Sequence, residues 1–223
     1  MPTPLSIDVF SDVVCPWCLI GKRRLEKALA LVPEIPVEVH WRPFFLNPWV
    51  PREGMSRADY LTTKFGSVEG YKAIAQRVAA AAASEGLVYA SDKMTRQPNT
   101  LDCHRLIRWA AESDAAPRMK QRLMDLYFTE GGDLSDRNVL VQAAIDCGMD
   151  GEEVRALLAT DKDVAAVEAE ANAAKEAGID GVPCFILGGL FAVSGAQEPH
   201  YLADAIKRAA AEQHARADEP AGA

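Results

Sequence analysis

No run in this chain is long and apolar enough to span a bilayer. The N-terminus, Met1-Pro2-Thr3-Pro4-Leu5-Ser6-Ile7-Asp8, has neither the positive nor the apolar segment of a secretory signal. The expectation is a cytoplasmic protein with no membrane partner, in a compartment where lasting structural disulfides are unusual. Basic patches interleaved with aromatics are also missing, and 24 basic against 32 acidic residues give a net charge of −8. Nucleic acid is therefore not an expected partner. Internal repeats and low-complexity tracts are absent. So is a second Cys or His pair at the short spacing that structural zinc requires. Of Cys103, His104, Cys147, Cys184, His40, His200 and His214, only Cys103 and His104 are close, and adjacent residues on a helix face different ways.

What is present is a chain of 223 residues, 49% of them apolar, enough for one large domain or one domain carrying an insertion. Its most informative feature is Cys15-Pro16-Trp17-Cys18. The pair follows the apolar run Ile7, Val9, Phe10, Val13, Val14 and opens the helical stretch Leu19 to Leu29. A first sulfur at a helix N-terminus meets unpaired N–H groups and the helix dipole, which favour thiolate. A second sulfur one turn on can close a disulfide or resolve a mixed one. Pro16 suits the first turn, where a missing N–H costs nothing. Zinc also uses this spacing, but the missing second pair argues for redox chemistry.

Near the other end, Gly178-Ile179-Asp180-Gly181-Val182-Pro183-Cys184-Phe185-Ile186-Leu187 reads as a helix stop, a turn, a proline and a buried strand. Pro183 alone would pass as an ordinary trans strand-opening residue. Taken with the Cys-x-x-Cys, it resembles the thioredoxin superfamily signature, in which a cis proline faces the two sulfurs. The resemblance narrows to the FrnE-like branch of the DsbA family. It is carried by Ser11 to Arg23, Trp41-Arg42-Pro43-Phe44, Pro98-Asn99-Thr100 with His104-Arg105-Leu106, Gly181-Val182-Pro183, and Val193-Ser194-Gly195-Ala196-Gln197. Two residues depart from the family pattern: Cys184, where an aromatic or small residue is expected, and Cys103, where an alanine-like one is.

Periodicity gives a strand over Leu5 to Ser11, a helix over Pro16 to Leu31, a strand over Val37 to Phe44, and an irregular connection to Ser56. From Arg57 to Ala177 nearly everything reads as helix. Strands at Cys184 to Leu187 and Leu190 to Val193, joined through Gly188-Gly189, precede a helix from Pro199 to Gln213. The fold class is α/β: a thioredoxin-like mixed sheet flanked by helices, with a large all-helical insertion. The core spans 1–47 plus 176–215, the insertion 48–175, and the tail 216–223 is expected to be disordered.

The resemblance implies a thiol–disulfide oxidoreductase with Cys15 as nucleophile and Cys18 as resolving thiol. Pro16 and Trp17 set the poise, and Val182 and Pro183 form the facing wall, where the backbone pairs with extended substrate. Thiolate pKa values in related families run from about 3.5 to about 7. Trp17 brings neither charge nor polarity, so an intermediate acidity and reductase or isomerase work are expected. Trp17 is read equally as an exposed platform for unfolded polypeptide and as packing on the insertion.

Asp12 is placed to cap the helix, the simpler role, or to tune the sulfur. Asn99 and Thr100 cap the helix at Leu101. His104 and Arg105 either line the site or serve structure, and Gln197 is a candidate contact for peptide or glutathione. Cys103 and Cys147 read as inert buried thiols. Cys184 reads first as core packing and second as a redox partner of Cys15.

No bound cofactor or metal is expected beyond a Cys15–Cys18 disulfide, with glutathione as a possible co-substrate. The expected partners are protein or small-molecule disulfides and a thiol donor such as glutathione or a thioredoxin-like reductant. Two alternatives stay open. One is a glutathione-dependent isomerase or transferase of the 2-hydroxychromene-2-carboxylate isomerase or kappa-class type, which usually has serine in place of the first cysteine. The other is a non-catalytic peptide-binding or chaperone module.

Overall fold

A computed structural model describes residues 3–218. Strand β1 (Leu5–Ser11) buries every second residue, the mark of a strand with one face in the core. Helix α1 (Pro16–Ala30) follows after a buried turn, and β2 (Val37–Pro43) returns parallel to β1, with Ile7 opposite Val39 and Val9 opposite Trp41. Next come β3 (Met55–Ser56), α2 (Arg57–Phe65), α3 (Val68–Ser84), β4 (Arg96–Gln97), α4 (Leu101–Ala111) and α5 (Ala116–Asp125). A π-helical turn at Leu126–Glu130 leads to α6 (Arg137–Asp146), α7 (Gly151–Leu158) and α8 (Val164–Glu176). The chain then closes through β5 (Cys184–Leu187), β6 (Phe191–Ser194) and α9 (Pro199–Asp218).

The four-stranded sheet has the order β2-β1-β5-β6, with β5 antiparallel to both β1 and β6. It is a thioredoxin-like mixed sheet flanked by helices. One core lies between the sheet and helices α1 and α9, around Ile7, Val9, Leu25, Phe185, Leu202 and Ile206. A second fills the helical block around Leu106, Met119, Leu123, Tyr127 and Phe128, and Cys15 and Cys18 belong to it. The sulfurs therefore sit on the seam between sheet and helices.

Several stretches differ from the sequence expectation. Residues 85–100 are not helical, and Arg96–Gln97 pairs antiparallel with Met55–Ser56. A two-residue ladder leaves no periodicity to read. Strand β6 starts at Phe191 rather than Leu190, after Gly188 and Gly189 turn the chain at φ values of 60° and 67°, a conformation other residues rarely adopt. Helix α9 continues to Asp218, past Gln213 and into the stretch 216–223 expected to be disordered. Residues 219–223 of that expectation lie outside the described residues.

Candidate active site

Strand β1 ends at Ser11, and the chain turns through Asp12, Val13 and Val14, all buried, to reach Cys15. Cys15 is the residue at the start of α1. Its backbone is extended (φ −90°, ψ 114°), no side chain caps the helix, and Pro16 occupies the first turn. The open N-terminal turn therefore faces the Cys15 sulfur. A hydrogen bond from the Cys18 thiol holds the Cys15 thiol below its ordinary pKa, helped by the backbone N–H groups of Cys18 and Trp17, while burial and the Asp12 charge oppose. Burial pushes Cys18 well up, and its role as donor to Cys15 adds to that. Of the two thiols, Cys15 is therefore the first to ionise.

The Cys15 thiol donates to the Val182 carbonyl at 3.6 Å, and the Val182–Pro183 peptide bond is cis. Two features hold this loop against α1. The Gly195 N–H donates to the Pro183 carbonyl at 2.8 Å, tying the loop to the end of β6. Gly21 lets α1 approach, since a Cβ there would lie 2.7 Å from Pro183 Cγ. A glycine in a helix interior costs about 1 kcal/mol relative to alanine, and close packing on Pro183 explains its presence. Reading Gly21 only as part of a helix missed this, although a glycine inside an otherwise strong helix was the available signal.

Asp12 does not cap α1. Its Oδ2 accepts from the Leu46 N–H at 2.8 Å, and Oδ1 lies 3.5 Å from His104 Nε2. Its backbone carbonyl receives the Cys15 N–H at 3.2 Å. The carboxyl sits below its ordinary range because the His104 and Leu46 contacts outweigh burial. Burial pushes His104 down despite Asp12, and the imidazole stands edge-on to Phe45. Arg105 is structural: it is fully buried and donates to the carbonyls of Leu157, Thr160 and Lys162 and to Asp102.

Trp17 is half-buried on the core of the helical block, as is Val182. Asn99 Oδ1 accepts the Leu101 N–H at 3.0 Å, whereas Thr100 makes no capping bond with its side chain. Gln197 is exposed, and its amide closes its own turn on the Ser194 carbonyl at 2.9 Å. Cys184 packs with Phe44, Ala174 and Ile179, a cluster separate from that of Cys15 and Cys18. Cys103 is fully buried in the helical core. Cys147 is buried at the C-terminal cap of α6 rather than within a helix face.

The residue that sequence reasoning passed over is Lys120. It lies on α5 beside Met119, Leu123 and Met124, is fully buried, and its Nζ donates to the Ser11 carbonyl at 3.3 Å. A lysine two residues from a basic, exposed-looking stretch reads as solvated, so nothing local marked it. A cleft of about 420 Å³ lies beyond His104, between β2, α4 and α8, and neither Cys15 nor Cys18 lines it. Among the described residues no group of three or more His, Cys, Asp or Glu is arranged to hold a metal ion, so the Cys pair lacks the further ligands of a zinc site. No helix among them is long and apolar enough to cross a membrane.

The family model of the DSBA-like thioredoxin domain matches residues 6–207. The chain belongs to that family. A protein described as a probable DsbA oxidoreductase from Streptomyces coelicolor is 35% identical, with a TM-score of 0.86 over 93% of this chain and 91% of its own. The uncharacterised protein YwbO of Bacillus subtilis is 27% identical over 186 residues, 82% of this chain and 87% of its own. The cytosolic disulfide reductase DsbM of Pseudomonas aeruginosa, solved with glutathione, shares the fold at 17% identity and a TM-score of 0.58, covering 95% of this chain and 98% of its own. DSBA-like membership makes the chain an enzyme of the thioredoxin-fold oxidoreductase or isomerase kind.

Proposed function

We propose that this DSBA-like protein exchanges disulfides through Cys15 and Cys18. The observation that carries the reading is two thiols one turn apart at one helix start, with Cys15 on the Val182 carbonyl next to the cis Pro183. The Cys15 thiolate attacks a substrate disulfide, forms a mixed disulfide and releases one substrate thiolate. Cys18 then loses its proton and attacks Cys15, freeing the second thiolate and leaving a Cys15–Cys18 disulfide. A thiol donor, glutathione or a thioredoxin-like protein, returns the pair to the reduced state, and no metal or bound cofactor enters.

Cys15 is only 3% exposed, which favours small disulfides or extended peptide laid along Val182 over disulfides embedded in folded domains. The apolar Trp17 supports reductase or isomerase work rather than strong oxidation. The motif blocks support a place in the FrnE-like branch. A cytosolic reductase shares the fold, and we assign this chain to the same compartment.

Insulin reduction with dithiothreitol tests the reading. The wild-type protein accelerates it, Cys15→Ser abolishes the acceleration, and Cys18→Ser accumulates mixed disulfides. Unchanged turnover in Cys15→Ser would overturn the assignment. A silent wild-type protein would favour a peptide-binding module.

A further inference from the structure

Three of the buried side chains among the described residues are of cationic type, Lys22, Arg105 and Lys120, and burial pushes the Lys120 ammonium below its ordinary pKa against the pull of the negative groups around it. Lys22 pairs with Glu26 and Arg105 with Asp102, but among the described residues no carboxylate lies within 4 Å of Lys120. Its ammonium has three protons to place and one partner, the Ser11 carbonyl at 3.3 Å. The Trp41 ring, 5.9 Å away, is a weak second. Burying a cation in this way is costly unless an anion answers it. Ser11 leads directly into the Asp12-to-Cys15 turn, so the ammonium reaches from the helical block to the base of the redox pair.

The charged and titratable groups around Lys120 are few. Asp12, Cys15 and Cys18 face it from the turn after β1 and from α1, and Cys103 and His104 face it from α4. Lys22 shares the Trp41 ring but is answered by Glu26. Burial favours the uncharged form of both His104 and Cys103. The remaining sources of negative charge are Asp12 and the redox pair, and both favour the charged form of Lys120 against its burial.

We propose that Lys120 is a positioning residue of the redox centre: its buried ammonium is the counter-ion of the thiolate carried by the reduced Cys15–Cys18 pair, and so raises the reduction potential of that pair. The inference rests on the disulfide-exchange reading above. Two glutathione thiols reduce the Cys15–Cys18 disulfide. The protein S–S bond breaks and one forms in glutathione disulfide. Of the two protons released, one stays on Cys18 and one goes to solvent, leaving the thiolate beside Lys120. In the disulfide form no negative sulfur remains, and the ammonium has only Asp12. The cation therefore favours the reduced state.

The test is the equilibrium of the full chain with a glutathione redox buffer, together with the pH titration of thiolate absorbance. Lys120→Met shifts the equilibrium about tenfold toward the protein disulfide, about 30 mV in potential, and moves the thiolate titration to higher pH. Lys120→Arg keeps both near wild type. A folded Lys120→Met protein within twofold of wild type in both readouts overturns the proposal. Removing an unpaired buried charge should not unfold the chain, but a second measurement avoids that dependence. In ¹⁵N-lysine spectra of Lys22→Met, the remaining exchange-protected ammonium is Lys120, and its shift changes between the reduced and disulfide forms. An unchanged shift overturns the proposal. If the wild-type pair shows no equilibrium with glutathione at all, the disulfide-exchange reading itself fails. A normal wild type with an indifferent Lys120→Met removes only the role of Lys120.

Discussion

Between the sheet and helices α1 and α9 the core is apolar throughout, built from Leu5, Ile7, Val9, Leu25, Leu202 and their neighbours, whereas the helical block buries His104, Arg105 and Lys120 among its apolar side chains. The difference separates two tasks. The sheet and α1 fix where the sulfurs are: the end of β1, the start of α1 and the Pro183 loop meet at one point. The helices between β2 and β5 add polar groups to the Asp12 carboxylate of the turn after β1, through His104 on α4 and Lys120 on α5. Cys15 and Cys18 pack with the helical block although the sheet side positions them.

That division is broken most directly by a cavity in the apolar core. Leu25 is 2% exposed, and Leu25→Ala is expected to lower stability by about 2–5 kcal/mol. Urea denaturation measures this, and the Cys15 thiolate titration should stay in place. A titration that moves with Leu25→Ala would mean the two regions are not separate in function.

Gly21 sharpens the comparison from the sheet side. In Gly21→Ala the new Cβ meets Pro183 at 2.7 Å and the loop must move. Overpacking costs about 1–3 kcal/mol, and the better helix propensity of alanine offsets about 1 kcal/mol. The modest net loss in stability should come with a much larger loss of exchange rate, because Val182 moves away from Cys15. Loss of rate in proportion to the unfolded fraction alone would show that the approach of α1 to Pro183 has no part in catalysis.

The sheet side was also the legible side. Alternation wrote out β1 and β2, Pro16 marked the start of α1, and the glycines at 188 and 189 marked the hairpin, all within a few residues of sequence. The helices themselves were readable from period and caps. Their inward charges were not, because a lysine next to Met119 on a helix of mixed polarity carries no local sign that it points into the core. Asp12 was misread for the same reason. Its spacing from Cys15 suits a cap, but its carboxylate is claimed by Leu46 and His104, residues distant in sequence. The pairing of β3 with β4 depends on contacts some forty residues apart.

Acid should expose the polar side. Asp12 and His104 both have folded-state pKa values below their ordinary ones. A group depressed by folding contributes stability above its unfolded pKa and loses it as pH falls through the folded value. For His104 the loss starts below about pH 6.5, and for Asp12 below about pH 4. Each proton adds a slope of at most about 1.4 kcal/mol per pH unit. Thermal melts from pH 8 to pH 4 should show a progressive fall, and His104→Gln should flatten its upper part. Asp12→Asn should also move the Cys15 thiolate titration to lower pH, because the Asp12 charge opposes that thiolate. A shift in the opposite direction would mean that Asp12 acts on Cys15 chiefly through the groups it holds rather than through its own charge.

The smallest effect is expected at Cys184, a thiol that directly follows Pro183 and yet belongs to neither main core. It is 3% exposed among Phe44, Ala174 and Ile179, and burial pushes its pKa up while Ser194 pulls the other way. A thiol kept protonated is a poor nucleophile, so it serves as a small apolar group. Cys184→Ala removes one buried atom, and a loss of about 1 kcal/mol is expected on the scale of a buried methylene. The glutathione equilibrium constant of the Cys15–Cys18 pair should stay within twofold of wild type. A larger change would show that the sulfur next to Pro183 is coupled to the redox pair, and that the small third cluster belongs functionally to the polar side of the seam.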